Sequence, residues 1–516
     1  MNETNGTVSG EIPVYTMPQP ECIPIIKPKE YSRKEIVSAF AALFAGFVFI
    51  KCAAAPFRDP TCIGFGASLA MILMSIYCII WTKKNDAAHI FRMVLALAFS
   101  VNTGICSMWL IQLLDAVFAA MILVYDRFAV SDESVSRIRK NFFSDLITAF
   151  CVQPLENMGE VFGAVRSGTK GRTGSGVKNV VIGLFFALPA TVVVAILLSS
   201  ADDGFARIME ELFDNAFARI FICLIQIVLG IPAAMYLYGA CYASSHRDAP
   251  YEEDSYIKDS ARIIPAAAGV ISAVPLCAMY VIFFCSQLSH YLSSFVNVLP
   301  TGETYAAYAR QGFFELCVVA LINLGMIAAL NIMCARSEGK KAAGVRIMTI
   351  VLCVFTLMLI ATALAKMAMY INVYGLTQLR TYTSWFMILL ALIFVIIAVS
   401  TAAEKLNAPS LMAAVFTVMF AVLSFANTDG LIARYNMERY LDGSLPNLNI
   451  SSMSELSSDA HPALRSYSDR LSPEDRKKIE DITAHTHRSD DWRTNTLNDI
   501  IADIANNTGS TGVFYG

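Results

Sequence analysis

Charge is what this chain has least of: 16% of its 516 residues are Asp, Glu, Lys or Arg, against 56% that are hydrophobic. That balance excludes a soluble globular domain and a disordered chain alike. A net charge of −3 offers no basic surface for nucleic acid, so no nucleic-acid partner is expected. No CxxC pair occurs and no cysteine follows Cys353, although thirteen are present. The cysteines lie in or beside apolar runs, which favours buried thiols acting as small apolar side chains over a disulfide framework or zinc site. A nucleophile elbow, an HExxH pair and a kinase signature are missing too. The reading therefore leans away from an enzyme and expects no cofactor. His485 and His487 lack neighbouring Cys or clustered carboxylates, so no metal site is expected there. The Gly-rich stretch 168–176 lacks the Lys-Ser/Thr that a phosphate loop places after its last glycine, and reads as a basic linker near anionic lipid.

Apolar runs fill the space that charge leaves. A bilayer core of about 30 Å is crossed by about twenty apolar residues in a helix, and backbone in lipid must satisfy its own hydrogen bonds. The expected fold is all-α, a polytopic transmembrane bundle of about eleven spans with a small C-terminal helical extramembrane domain. The spans are Ile36–Phe57, Thr61–Trp81, Ile90–Val101, Cys106–Tyr125, Val180–Leu198, Phe217–Gly239, Ile263–Phe284, Phe313–Met333, Ile347–Ile371, Ser384–Ala402 and Ser410–Thr428. The third is short, and Asn102-Thr103-Gly104 after it favours a tight hairpin. Residues 1–35 form a polar, proline-containing tail without the layout of a cleavable signal. With the tail inside, the inner segments carry 23 Lys and Arg and the outer loops five (Arg58, Arg207, Arg219, Arg310, Arg380). This bias places the N-terminus in the cytoplasm and the C-terminal domain, 429–516, outside.

Two loops carry helical patterns of their own. In the inner loop 128–178, Val135, Ile138, Phe142, Leu146 and Phe150 recur at helical spacing up to Pro154, and Leu155, Met158, Phe162 and Val165 share a second face. In the outer segment 200–216, Phe205, Ile208, Leu212 and Phe213 oppose Asp202, Asp203, Glu210 and Glu211. In the tail domain, Ser472-Pro473-Glu474-Asp475 combines a cap, an N1 proline and first-turn acids. A last helix is expected from Asp490 or Asp491, with Leu497, Ile500, Ile501 and Ile504 inward.

Candidate functional residues follow from depth. Asp115 stands mid-span, where a carboxylate must be paired, protonated or wet, so it marks either a transport path or a hydrogen-bonded structural group. Lys51 and Lys366 lie near outer helix ends and either snorkel or join Arg310, Arg380, Tyr305, Tyr308, Tyr370 and Tyr374 in a pocket for an anion. Pro189, Pro232, Pro265 and Pro275 interrupt spans, as prolines do in transporters with broken helices. Ser458, Asp459 and His461 stand too close in sequence to orient as a triad, and read as packing or capping groups.

Four segments together resemble a known group of proteins: Leu197 and Ser199 through Phe205; Thr304-Tyr305-Ala306-Ala307-Tyr308-Ala309-Arg310 to Leu316; Met369-Tyr370 through Arg380; and Ile432-Ala433-Arg434-Tyr435-Asn436 with Leu456-Ser457-Ser458-Asp459-Ala460. They are similar to the bacterial integral-membrane families called domains of unknown function 4153 and 4173, over roughly Phe143 to Asn495. Lys366, Met369 and His461 depart from that pattern. The resemblance implies a multi-pass bacterial inner-membrane protein and implies no reaction. All four segments fall on the outer side of the expected topology, which suggests one assembled site there. The leading expectation is a sensor, accessory or assembly protein that binds an outer-face ligand or a membrane-protein partner, besides lipid, through Tyr305, Tyr308, Arg310, Lys366, Tyr374 and Arg380. A transporter using Asp115, and a lipid-processing enzyme, are the alternatives.

Overall fold

The computed structural model describes residues 30–53, 63–82, 86–131, 142–169, 193–195, 197–214, 216–246, 262–296, 313–335, 342–403, 406–484 and 492–509, with isolated positions between 183 and 191; for 53, 131, 143–144, 210–214, 216–221, 287–296, 313–314 and 507–509 it describes backbone alone. The described residues are helical, apart from turns and one isolated bridge between Ile264 and Cys334. Among the described residues, eight helices are long and apolar enough to cross a membrane. They are α1 (Arg33–Ala53), α3 (Ala87–Ile105), α9 (Ala216–His246), α10 (Ala266–Val296), α11 (Phe313–Met333), α12 (Ala343–Tyr374), α13 (Gln378–Ala402) and α14 (Ala408–Phe425). Between them α2 (Gly64–Ile80) is apolar but 17 residues long, and α4 (Trp109–Ser131) carries Asp115, Asp126 and Arg127 along its 23 residues. The expected count of eleven is thus not reached by length and apolarity alone. The span expected at Val180–Leu198 lies largely outside the described residues.

The third span differs from expectation. Asn102, Thr103 and Gly104 continue α3 to Ile105, and the turn falls at 106–108 instead. Helix persists because each of these side chains has a use inside the bundle. Thr103 donates to the Phe99 carbonyl, and Gly104 gives room where a Cβ would sit 3.0 Å from that of Ser68 on α2.

Packing divides the membrane helices into two cores joined by α13 and α14. In the first, α1–α4 and α9 bury Ala42, Ala96, Phe99, Ala119 and Ala234, with Phe420 of α14 stacked 5.3 Å from Phe99. α1 and α9 meet at bare backbone: a Cβ on Gly46 would lie 2.3 Å from the Gly230 carbonyl oxygen. Small residues permit such close crossings where lipid supplies no hydrophobic drive. In the second core α10–α13 bury Leu352, Leu359, Ile360, Met387 and Phe394. Trp385 of α13 donates to the Met419 carbonyl of α14 at 3.0 Å and stitches the two together. Pro232 and Pro275 sit inside α9 and α10, each of which remains one 31-residue helix; Pro189 lies outside the described residues.

Short helices border the bundle. α5 (Phe142–Ile147) runs through a π-turn at Thr148–Val152 into α6 (Gln153–Glu156), so Pro154 begins a helical turn rather than ending one. In α7 (Glu160–Gly168) Val161 and Ala164 are buried, whereas Phe162 and, before it, Leu155 are about half exposed. Of the expected apolar face, Leu155 and Phe162 point away from the bundle while Val165 packs against the first core, beside the buried small residues. α8 (Asp203–Asp214) is amphipathic as expected, and Asp202 caps it by accepting from the Phe205 N–H at 2.6 Å.

Beyond α14 the chain folds into a cap: α15 (Thr428–Leu441), α16 (Ile450–Ser454), a 3₁₀ turn at Ser458–Ala460, α17 (His461–Tyr467), α18 (Pro473–Ala484) and α19 (Leu497–Gly509). Ile432, Ala433, Met437, Met453, Leu464 and Ile479 form its own apolar core. α18 begins at Pro473, with the Ser472 Oγ accepting from the Asp475 N–H at 3.2 Å. The last helix starts at Leu497, later than expected, under a Thr496–Asp499 capping pair. Its inward face is Asp499 and Ala502, while Leu497, Ile501 and Ile504 face out, opposite to expectation.

Candidate functional site: two buried polar locks on one helical hairpin

Every helix end leaves backbone groups without an intrahelical partner, and the cap supplies many of them. At the start of α2, the Phe65 N–H donates to the Asn495 carbonyl and the Gly66 N–H to that of Arg493, each at 2.9 Å. Gly64, at φ +61°, makes this possible: a Cβ there would stand 2.4 Å from Thr494 backbone. Arg493 Nη1 also donates at 2.7 Å to the Lys51 carbonyl in the last turn of α1. At the end of α12, Arg439 donates to the Asn372 carbonyl at 2.9 Å, and Asn436 clamps Leu376 through both its N–H (2.7 Å) and its C=O (2.8 Å). The ends of α1, α3, α12 and α14 and the starts of α2, α4 and α13 thus share one face, here called the capped face.

The first lock sits under this cap. Asp115 of α4 has no solvent exposure; its two oxygens accept from Asn102 Nδ2 of α3 at 2.8 Å and from Ser424 Oγ of α14 at 2.6 Å. Of the two readings open for Asp115, the hydrogen-bonded one describes this geometry. At the α3–α4 turn, Asp459 accepts from the Ser107 N–H at 3.0 Å, from Cys106 Sγ at 3.2 Å and from Asn498 Nδ2 at 2.6 Å. One carboxylate therefore ties the α3–α4 turn to both the 3₁₀ turn and α19. Ser107 Oγ adds a bond to Thr496 Oγ1 at 2.6 Å. Asp429 closes the other side, accepting from Gln378 Nε2 of α13 at 2.9 Å and the Ser457 N–H at 2.8 Å. All these donors are neutral. Burial pushes the Asp429 and Asp459 carboxyls above the ordinary carboxylate range, against the hydrogen bonds that pull them down.

The second lock lies at the far ends of the same two helices. Asp126 of α4 is fully buried and accepts from Arg92 Nε of α3 at 2.7 Å; it also meets His89 Nδ1 at 2.9 Å and the Arg127 guanidinium. Arg127 reaches across to the Cys78 carbonyl of α2 at 2.9 Å and to Thr82 Oγ1. Asp86 caps α3 by accepting from the His89 N–H at 3.0 Å. Nearby, His246 at the end of α9 pairs with Glu35 at the start of α1 at 2.8 Å. Arg92 and Arg127 are among the 23 Lys and Arg assigned above to the inner segments, and the sequence pattern does not single out Asp126 or His89. The signal was present: an Asp-Arg pair with Tyr125 before it and Phe128-Ala129-Val130 after it cannot be a solvated loop.

Of the residues expected to bind a ligand, Tyr305, Tyr308 and Arg310 lie outside the described residues. Arg380 donates to the Tyr374 and Gly375 carbonyls at 3.1 and 2.5 Å and lies 4.0 Å over the Tyr370 ring, so it closes the α12–α13 turn. Tyr374 is partly exposed beside Tyr370, with ring centroids 5.2 Å apart. Lys366 is half-buried on α12, two turns before Tyr374, and Lys51 lies 5.9 Å from the Phe47 ring. His485 and His487 lie outside the described residues, among which no cluster of metal-ligating side chains occurs.

A family model described as a domain of unknown function, DUF4153, matches residues 39–467. The chain belongs to that family. The match begins in α1, well before the Phe143 at which the resemblance seemed to start, and ends at α17. No curated protein and no solved structure matches the chain.

Proposed function

We propose that this chain is a non-enzymatic sensor or accessory protein of the bacterial cell membrane, in which the α3–α4 hairpin carries a state of the outer cap to the cytoplasmic side. The tail would be cytoplasmic and the cap extracytoplasmic, as the Lys and Arg bias of the loops supports. The single observation behind the reading is that both buried locks belong to the same two helices: Asn102, Ser107 and Asp115 at one end, His89, Arg92 and Asp126 at the other. Buried polar networks have few alternative arrangements, and such discreteness is what a coupling element needs. A ligand arriving at Arg380 and Tyr374 would reach the cap through Gly375 and Leu376, which Asn436 holds. The transport reading needs Asp115 as a way station; with both oxygens committed to Asn102 and Ser424, the residue favours coupling instead.

The test is hydrogen exchange on the full-length protein in nanodiscs, comparing wild type with Asp459→Ala. Coupling requires faster exchange not only in the cap but in the far turns of α4, at 124–131, by tenfold or more. Faster exchange confined to 428–509 would overturn the reading and leave a cap that merely sits on the bundle.

A further inference from the structure

α19 inverts the rule for a helix on a soluble domain. Its polar and small side makes the contacts: Asn498 donates to Asp459, Asp499 and Ala502 are buried, and Asn506 donates to the Thr483 carbonyl at 3.0 Å. Its apolar side, Leu497, Ile501 and Ile504 at helical spacing, is 41–55% exposed. Such a stripe requires an apolar environment the cap does not supply. Its depth is fixed by the preceding residues, since 493–495 bond to the first turn of α2 and the last turn of α1. Spans that end at this level put the bilayer boundary beside it. Two tryptophans mark the same level: Trp492, 57% exposed, and Trp109, 52% exposed, two residues after the Ser107 that α19's capping residue Thr496 bonds. Aromatic rings of this kind populate the boundary between lipid and water.

We infer that α19 is an interfacial helix, lying on the bilayer with Leu497, Ile501 and Ile504 in the acyl boundary and Trp492 at headgroup level, so that lipid is the cap's second support beside the helix ends. This inference is independent of signalling; it needs only that the spans cross a bilayer.

The probe is tryptophan fluorescence of the full-length protein in nanodiscs of phosphatidylcholine with or without brominated acyl chains. The difference between wild type and Trp492→Phe isolates the Trp492 emission from the three other tryptophans. That share should fall at least twofold with brominated lipid and resist aqueous iodide. Quenching by iodide but not by brominated lipid would overturn the inference, as would shielding from both that grows with protein concentration, which would assign the stripe to a second copy. As a check that does not depend on Trp492, Leu497→Gln with Ile501→Gln should speed hydrogen exchange of 497–509 severalfold in nanodiscs; no change there would count equally against a lipid-seated helix.

Discussion

Buried carboxylates without cationic partners set the behaviour of the cap at the scale of single residues. Burial raises the Asp429 and Asp459 carboxyls above their ordinary range, so the folded protein holds these protons more tightly than the unfolded chain does. Their contribution to stability is therefore fully present below the unfolded value of about 4 and is lost as pH rises through the raised folded value. Mildly acidic solution should protect the cap against proteolysis more than neutral solution does, and Asp459→Asn should flatten that dependence. The exposed Asp442 and the partly exposed Asp475, held below the ordinary range chiefly by hydrogen bonds from Ser444 and Ser472, work in the opposite direction, Asp442 only weakly because it is solvated. Asn436 makes a second residue-scale case. Asn436→Asp keeps the acceptor for the Leu376 N–H but removes the donor to its carbonyl, and an unmet buried polar group costs about 1–3 kcal/mol. A fall of that size in the unfolding free energy of the cap is expected from denaturant titration. Neither arrangement was legible in the sequence, because its partners are remote: Ser107 meets Asp459 across 352 positions and Leu376 meets Asn436 across 60. Local spacing reports on a helix's own faces, and it identified Asp115 as a problem without being able to name the groups that solve it.

Helices, the next scale, were largely readable, since apolar length in lipid admits one backbone solution. The last amphipathic helix is the exception. The pattern of soluble proteins turns the Leu497–Ile501 stripe inward, whereas beside a bilayer an apolar face can turn outward. Charge inside α4 is the converse case: Asp126 and Arg127 follow the span expected to end at Tyr125, yet each has its charge answered within the bundle. The far lock then makes a specific demand. Asp126→Asn would leave Arg127 and Arg92 buried without their counter-charge, a change that typically costs about 3–5 kcal/mol. Thermal unfolding of the detergent-solubilised protein should show it as a large fall in midpoint. Asp86→Ala, which removes only the α3 cap, should cost about 1 kcal/mol. If the two variants unfolded alike, the buried pairing would be irrelevant to the bundle.

At the scale of the whole molecule, the helix ends bear on which face each described helix starts from. α1 starts at the far face, where Glu35 pairs with His246, and ends at the capped face, where its Lys51 carbonyl meets Arg493. α2, α3 and α4 alternate from there, since α2 starts against Arg493 and α4 ends at the Asp126 lock. α7 packs on the start of α1, with the Tyr31 hydroxyl bonded to Glu160 at 2.7 Å, so the chain is still at the far face at Gly168. α9, however, ends at the far face beside Glu35 and therefore starts at the capped one. A change of sides between Gly168 and α9 is therefore expected, which is where the eleven-span reading of the sequence puts Val180–Leu198. That expectation supplies the closing prediction. Reporters inserted after Gly176 and after Asp202 should be found on opposite sides of the membrane, with the Gly176 site on the side of the N-terminal tail and the Asp202 site on the side of a reporter fused after Gly516. Two insertions on the same side would mean that α8 and α9 begin where α7 ends. The pairing of Glu35 with His246 and the seating of α19 on the ends of α1 and α2 could not then both hold in the membrane.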